Sequence, residues 1–289
     1  MGSPGYWLPY CVAAGTWQME QDTWLLQRLR HAPRPYLRFY GWDRLTLSLG
    51  RHQAWPDPAP GIPVVRRPTG GRAVLHQAAE DGAELTYSLV LPLSYLQARL
   101  PRLQRACVYD FCCRFWVQGL AVLGVEVDPR VSARDRTDCQ NRLTPDSDYR
   151  TKISCFASRT RADLSWQGKK LMGNAQLWQP WGILQQGSLL LRPNLELWER
   201  YLPGSQVIGL YDICPTAPGI PELIEHFLQI AQQCFEVEWQ KEAWPDPPHL
   251  EDPAAKLTLS DRERQDPPPP SPSGRGARGE GGSSHWYSG

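Results

Sequence analysis

The chain has 289 residues, a formal net charge of +1, 41% hydrophobic residues and 13 Trp. That is enough apolar material for one large cored domain or two small ones. The balanced charge gives no basic footprint for nucleic acid or a membrane surface, and no apolar run reaches the ~18–20 residues of a membrane helix.

The first stretch, "MGSPGYWLPYCVAAGTW", has no basic segment and is broken by two prolines, so it is not read as a signal peptide. Residues 18–30 space Met19, Trp24, Leu25 and Leu29 helically. "PYLRFYGW" and "RLTLSLGRHQ" read as two strands around Gly41. "GIPVVRR" is a short strand, "PTGG" a turn, "RAVLH" a strand, "AAEDGA" a polar loop and "ELTYSLVLP" a longer strand. Residues 102–125 form the best helix, with Leu103, Cys107, Phe111, Phe115, Leu120 and Leu123 near helical spacing and a stop at Gly124. Residues 132–152 are polar and irregular and read as a surface loop. "ISCFA", "ADLSWQGKKLMGNAQLWQ" and "GILQQGSLLLRP" are β-patterned, with glycine turns between them. Residues 220–237 place Leu223, Ile224, Phe227, Leu228, Ala231 and Phe235 on one side of a second amphipathic helix.

From about Asp261 apolar residues almost vanish. The expected organisation is a catalytic-type domain over 1–255 and a disordered Pro/Gly/Ser-rich tail over 261–289, whose "PPPPSP" could serve as a polyproline ligand. Strands outnumber helices and hairpins look local. The fold class expected is α+β, a mixed or antiparallel sheet flanked by helices.

Several constellations could carry chemistry. Gly70 and Gly71 sit at a strand joint with Arg66, Arg67 and Arg72. Exposed backbone N–H groups and cations there would hold a carboxylate, phosphate or thioester carbonyl. The plainer alternative is a hairpin turn with solvated arginines. In "GKKLMGNAQ" strand alternation lets only one of Lys169 and Lys170 face inward, where it could neutralise developing negative charge; an exposed lysine pair is the alternative. Cys155 would need a neighbouring cation such as Lys170 or His76 to populate its thiolate; otherwise it is a buried structural cysteine. His76 could be a base, an orienting donor or an ordinary strand histidine. The eight cysteines are scattered without a CxxC pair, so reduced thiols in the cytoplasm are expected, with no metal site.

Taken in order, "RFYGWDRLTLSLGRHQ", "VVRRPTGGRAVLH" with "ELTYSLV", "SCF", "GKKLMGNAQ" and "LQQGSLLL" resemble the biotin/lipoate protein ligase superfamily. The resemblance runs from about Trp17 to Arg192 and is strongest to lipoate–protein ligase A-like members and the cysteine-dependent octanoyltransferases. It implies a class II biotin/lipoyl ligase-like catalytic domain. Arg67, Thr69, Gly70, Gly71, Arg72 and His76 fall on the family segment that lines the acyl tunnel. Lys170, followed by apolar-x-Gly, falls on the family lysine. Gly173 and Ala175 lie in the strand after it, and Gly187 and Ser188 in the family's "HGS" turn. Gln186 replaces the histidine of that turn, Asn174 replaces a smaller Ser or Ala, and the loop after His76 is longer.

The superfamily implies two activities. A transferase takes an octanoyl (or lipoyl) group from acyl carrier protein through a cysteine thioester to a lysine of a lipoyl domain, as found in 2-oxoacid dehydrogenases or the glycine cleavage H protein, with no cofactor. A ligase activates free lipoate with ATP and Mg. Cys155 in "SCF" aligns with the nucleophile of the transferase branch, and thioester exchange between thiols is nearly isoenergetic, so the transferase is favoured. A non-catalytic module that grips lipoyl domains or carrier protein is the remaining alternative, disfavoured by the complete Gly-Gly, Lys and Cys set.

Overall fold

Seven strands make one mixed sheet: β1 (Ser3–Ala13), β2 (Tyr36–Trp42), β6 (Glu84–Pro92), β7 (Leu164–Trp166), β8 (Lys169–Gln179), β9 (Gly182–Leu190) and β10 (Val237–Lys241), in the order β10-β1-β2-β6-β9-β8-β7. The structure, a computed structural model, describes residues 3–56, 60–128 and 163–244. These belong, up to Ala243, to one compact unit. The 132–152 loop, the "ISCFA" strand and the tail from Asp261 lie outside the described residues. β10-β1-β2 pair in parallel and the rest antiparallel. A second sheet of three short strands has β3 (Thr46–Leu49) between β4 (Val64–Arg66) and β5 (Val74–His76). The helices are α1 (Gly15–Arg28), α2 (Leu93–Gln97), α3 (Arg105–Val122), α4 (Leu195–Tyr201), α5 (Leu210–Ile213) and α6 (Ile220–Phe235). The α+β class with a mixed sheet and flanking helices is what the patterning predicts.

Alternation along β2 and β6 sorts the large sheet into two unlike faces. Leu37, Phe39, Leu85, Tyr87, Leu89 and Leu91 join one core with α3 and α6. There Trp116 and Phe227 meet at 4.2 Å between ring centroids. Each such side chain contributes on the order of 1.5–3 kcal/mol on burial. The five residues Leu223, Ile224, Phe227, Ala231 and Phe235 form the buried stripe of α6; Leu228 is only partly buried. The other face carries Arg38, Tyr40 and Trp42 on β2, Glu84, Thr86 and Ser88 on β6, and Gln186 and Ser188 on β9. All of these are buried, beneath α1 and the small sheet.

Several elements depart from the sequence reading. β1 is eleven residues long despite Pro4 and Pro9. The ladder to β2 shifts register between Leu8 and Cys11, which leaves Pro9 where no N–H is needed. β10, α2, α4 and α5 have too little periodicity of their own to be read. α1 begins at Gly15 rather than at residue 18. β2 and β3 do not pair with each other: Gly41 lies within β2, and the two strands belong to different sheets. β4 and β5 flank β3 on opposite sides, so "PTGG" is a connection across the end of β3 and not a hairpin turn. A tight turn does occur at Gln167–Gly168, with φ 45° and 85°, between β7 and β8.

Candidate active site

The polar face of the large sheet and the small sheet enclose a cavity. Among the described residues it is lined by Arg67, Gly71, Arg72 and His76 from the small-sheet side, Lys170, Gly173, Asn174 and Ala175 from β8, Gln186, Gly187 and Ser188 from β9, and Asp163. Most sequence-selected residues therefore converge. Thr69 and Gly70 are adjacent but do not line the cavity, and Cys155 lies outside the described residues.

Of the lysine pair, Lys169 is exposed and Lys170 is buried, as alternation requires. The Lys170 backbone is fixed on its outer edge by the Lys170 N–H to Gln206 C=O bond and the Ile208 N–H to Lys170 C=O bond. Its Nζ lies 2.6 Å from Asp163 Oδ1, and both side chains are under 5% exposed. A buried ammonium without an anion would be strongly disfavoured, so Asp163 is what allows a charged lysine at this wall. The sequence reading overlooked Asp163, because a lone aspartate before a strand carries no periodic signal.

The glycine connection is held by its arginines. All the guanidinium nitrogens of Arg67 donate to the turn or to β3: Nε and Nη2 to Gly70 O at 3.1 and 2.7 Å, Nη2 also to Arg72 O at 2.7 Å, and Nη1 to Ser48 O and Oγ at 3.1 and 3.3 Å. Arg66 points away and binds the carbonyls of Gly50, Arg51 and Gln53. Arg66 and Arg67 are therefore structural clamps, and Arg67, like Arg72, also lines the cavity. Gly71 has φ +89°, a conformation side chains rarely adopt. Its carbonyl crosses Gly50 so closely that a Cβ on Gly50 would lie 1.8 Å from it. A Cβ on Gly70 would meet nothing within 4 Å. Gly71 is thus demanded by the backbone, and its role is not simply to leave room for a ligand.

His76 is fully engaged. Its Nε2 is 2.9 Å from Ser48 Oγ and its Nδ1 3.0 Å from Glu84 Oε2, and the Trp42 ring stacks on it at 3.8 Å. Glu84 also accepts from Ser188 Oγ, Thr86 Oγ1 and the Gln77 N–H. Both ring nitrogens being taken, His76 orients the wall in this arrangement and is not poised as a base.

Beneath the cavity runs a polar network that the sequence reading missed. Asp22 on α1 accepts from Arg38 Nε at 2.7 Å, Ser88 Oγ at 2.6 Å, Tyr40 OH at 3.2 Å and Gln186 Nε2 at 2.5 Å. Arg38 also donates to Gln18 Oε1 and to the Gln18 carbonyl. Asp22 and Arg38 are both fully buried. Burial first, and then the Asp22 carboxylate, push the Tyr40 phenol well up, so it remains a donor. Gln186 accepts from Thr69 Oγ1 at 2.7 Å, so it joins this network to the glycine connection. Asn174 is held from the other side by Tyr87 OH at 2.7 Å. A charged residue inside the run "YLRFYGW", and Gln18 and Asp22 one turn apart beside Met19, were the available signals.

Among the described residues no group of three or more His, Cys, Asp or Glu is arranged to hold a metal, and no helix is long and apolar enough to cross a membrane. The family model of the lipoyl protein ligase A/B catalytic domain matches residues 15–232. An octanoyltransferase LipM of Carboxydothermus hydrogenoformans is 30% identical over 205 residues, 68% of either chain. The LipM of Kyrpidia tusciae is 38% identical over 166 residues, 54% of either chain, so the match spans little more than half of that relative. Among solved structures, lipoate–protein ligase A bound with ATP superposes with a TM-score of 0.65 at 17% identity, covering 84% of this chain and 90% of that one. A bipartite lipoate protein ligase from Thermoplasma acidophilum gives a TM-score of 0.61 at 17% identity, over 84% of this chain and 88% of that one. The mixed sheet with its inward lysine and glycine connection, together with the family model over most of the chain, makes this protein a member of the lipoyl protein ligase A/B catalytic-domain family.

Proposed function

We propose that the protein is a cysteine-dependent octanoyltransferase. It moves an octanoyl group from acyl carrier protein to a lysine of a lipoyl domain in the cytoplasm, without ATP or a metal. The observation that carries this is a buried Lys170 sharing one cavity with the Gly71–Arg72 turn, in a chain with LipM relatives at 30 and 38% identity.

The Cys155 thiolate attacks the octanoyl thioester carbonyl. The carbonyl carbon forms a bond to the Cys155 sulfur, the bond to the carrier sulfur breaks, and the carrier leaves as its thiol after taking up a proton. The acceptor lysine, as free amine, then attacks the enzyme thioester; an amide forms and Cys155 is released. Lys170 supplies positive charge where each oxyanion develops and favours the thiolate. Asp163 holds the Lys170 ammonium in place. Arg67 and the Thr69–Gln186 contact keep the turn of Gly70, Gly71 and Arg72 in shape. His76, Gly173, Ala175, Gly187 and Ser188 complete the acyl wall.

Incubation with octanoyl carrier protein and no ATP, followed by intact-mass spectrometry, tests this. Wild type gains one octanoyl group that hydroxylamine removes, and Cys155→Ala gains none. Transfer that needs ATP and a free acid would replace the transferase with the ligase, and carrier or lipoyl-domain binding without any acyl gain would favour a non-catalytic module.

A further inference from the structure

Residues 50–56 leave β3 and fold back against the glycine connection. The Arg51 N–H donates to Thr69 O at 2.9 Å, and the Gly50 N–H to Gln53 Oε1 at 2.9 Å. Arg66 fixes this segment from beneath through the carbonyls of Gly50, Arg51 and Gln53, at 3.1, 3.1 and 2.7 Å. Its guanidinium lies 4.9 Å from the Trp55 ring. Trp55 is nevertheless 57% exposed, the one aromatic among the exposed large hydrophobic residues of the described chain. Arg66 lies against it, Arg51 and exposed His52 precede it in the same segment, and Arg72 belongs to the glycine connection on which that segment folds back. Neither Arg51 nor Arg66 is paired with a carboxylate among the described residues.

An exposed tryptophan on a segment already ordered by an arginine loses little entropy when covered, which is the character of a binding hot spot. The cations select what covers it. An acyl carrier presents its thioester on an arm that begins in a phosphodiester, an anion that arginine binds well. The acceptor presents a lysine, a cation that the same arginines repel.

We infer that Trp55, Arg51 and Arg66 form the docking surface for the phosphodiester-armed carrier that delivers the acyl group. This rests on the transferase function proposed above. The test compares two donors, octanoyl carrier protein and octanoyl-N-acetylcysteamine, an uncharged thioester with neither phosphate nor protein. Trp55→Ala and Arg51→Glu should each raise KM for the carrier donor on the order of tenfold or more. They should leave kcat, acceptor KM and turnover of the small thioester unchanged. Unchanged carrier KM in both variants, equal losses on both donors, or a rise in acceptor KM instead would overturn the assignment. Wild type inert toward both donors without ATP would overturn the transferase function and this docking with it; active wild type with unaltered variants overturns the docking alone.

Discussion

Lys170→Ala should damage the protein twice, and the two effects can be separated. The substitution removes one partner of an ion pair at 2.6 Å whose side chains are 4% and 3% exposed. Asp163 would be left as a buried carboxylate without its cation, a loss of about 3–5 kcal/mol. Lys169 is exposed, so Lys169→Ala should change stability by less than about 0.5 kcal/mol. Removing both partners, as Lys170→Met with Asp163→Leu, should recover most of the lost stability, since replacing a buried pair with apolar groups of similar volume is often neutral. Transfer activity should not return, because the Lys170 cation is missing where the oxyanion develops; such a donor is worth on the order of 10²–10³ in rate. Urea midpoints and octanoyl transfer should be measured on all four proteins. Equal destabilisation by Lys169→Ala and Lys170→Ala would refute the burial argument. Substantial transfer by the double variant would refute the electrostatic role.

At the glycine connection, Gly71→Val should unfold the turn and lower the melting temperature, because φ is +89° there, while Gly70→Ala should leave the melting temperature nearly unchanged; reversal of that order would mean the connection adopts another conformation. Asp22→Ala should destabilise by about 3–5 kcal/mol in denaturant unfolding, because it removes the carboxylate that pairs with the fully buried Arg38. A loss below 1 kcal/mol would show that the network beneath the cavity is not formed as described.

Strong periodicity carried far. The helices at 105–122 and 220–235, the strand at 84–92 and the rule that only one of Lys169 and Lys170 faces inward follow from spacing, since 3.6- and 2-residue periods are local properties of the chain; that the inward one is Lys170 came from the family resemblance of the residues after it. The glycine connection was also legible as a special place. Arg67 and Arg72 do reach the cavity wall, but that Arg66 turns away and that Arg67 also clamps the turn was not legible, because a cation's partner can be a backbone carbonyl and nothing in the sequence marks which carbonyls come near.

The sequence by itself determined the element types in the middle of the chain, the alternation that makes the strands two-faced, and the motif spacing that carries the family resemblance. Only the tertiary structure decided what each face meets. Glu84, Thr86 and Ser88 alternate with Leu85, Tyr87 and Leu89 just as a strand with one wet face would, yet all six are buried. The polar three are covered by α1 and the small sheet, and their hydrogen-bond partners come from Asp22, His76 and Ser188. β1, broken by prolines, and the short β10 are strands because neighbours supply their ladders. Asp163 matters because folding places it against Lys170. Burial and pairing across 66 or 164 residues of chain, as from Asp22 to Ser88 or to Gln186, depend on which surfaces pack together, and a local pattern cannot encode that.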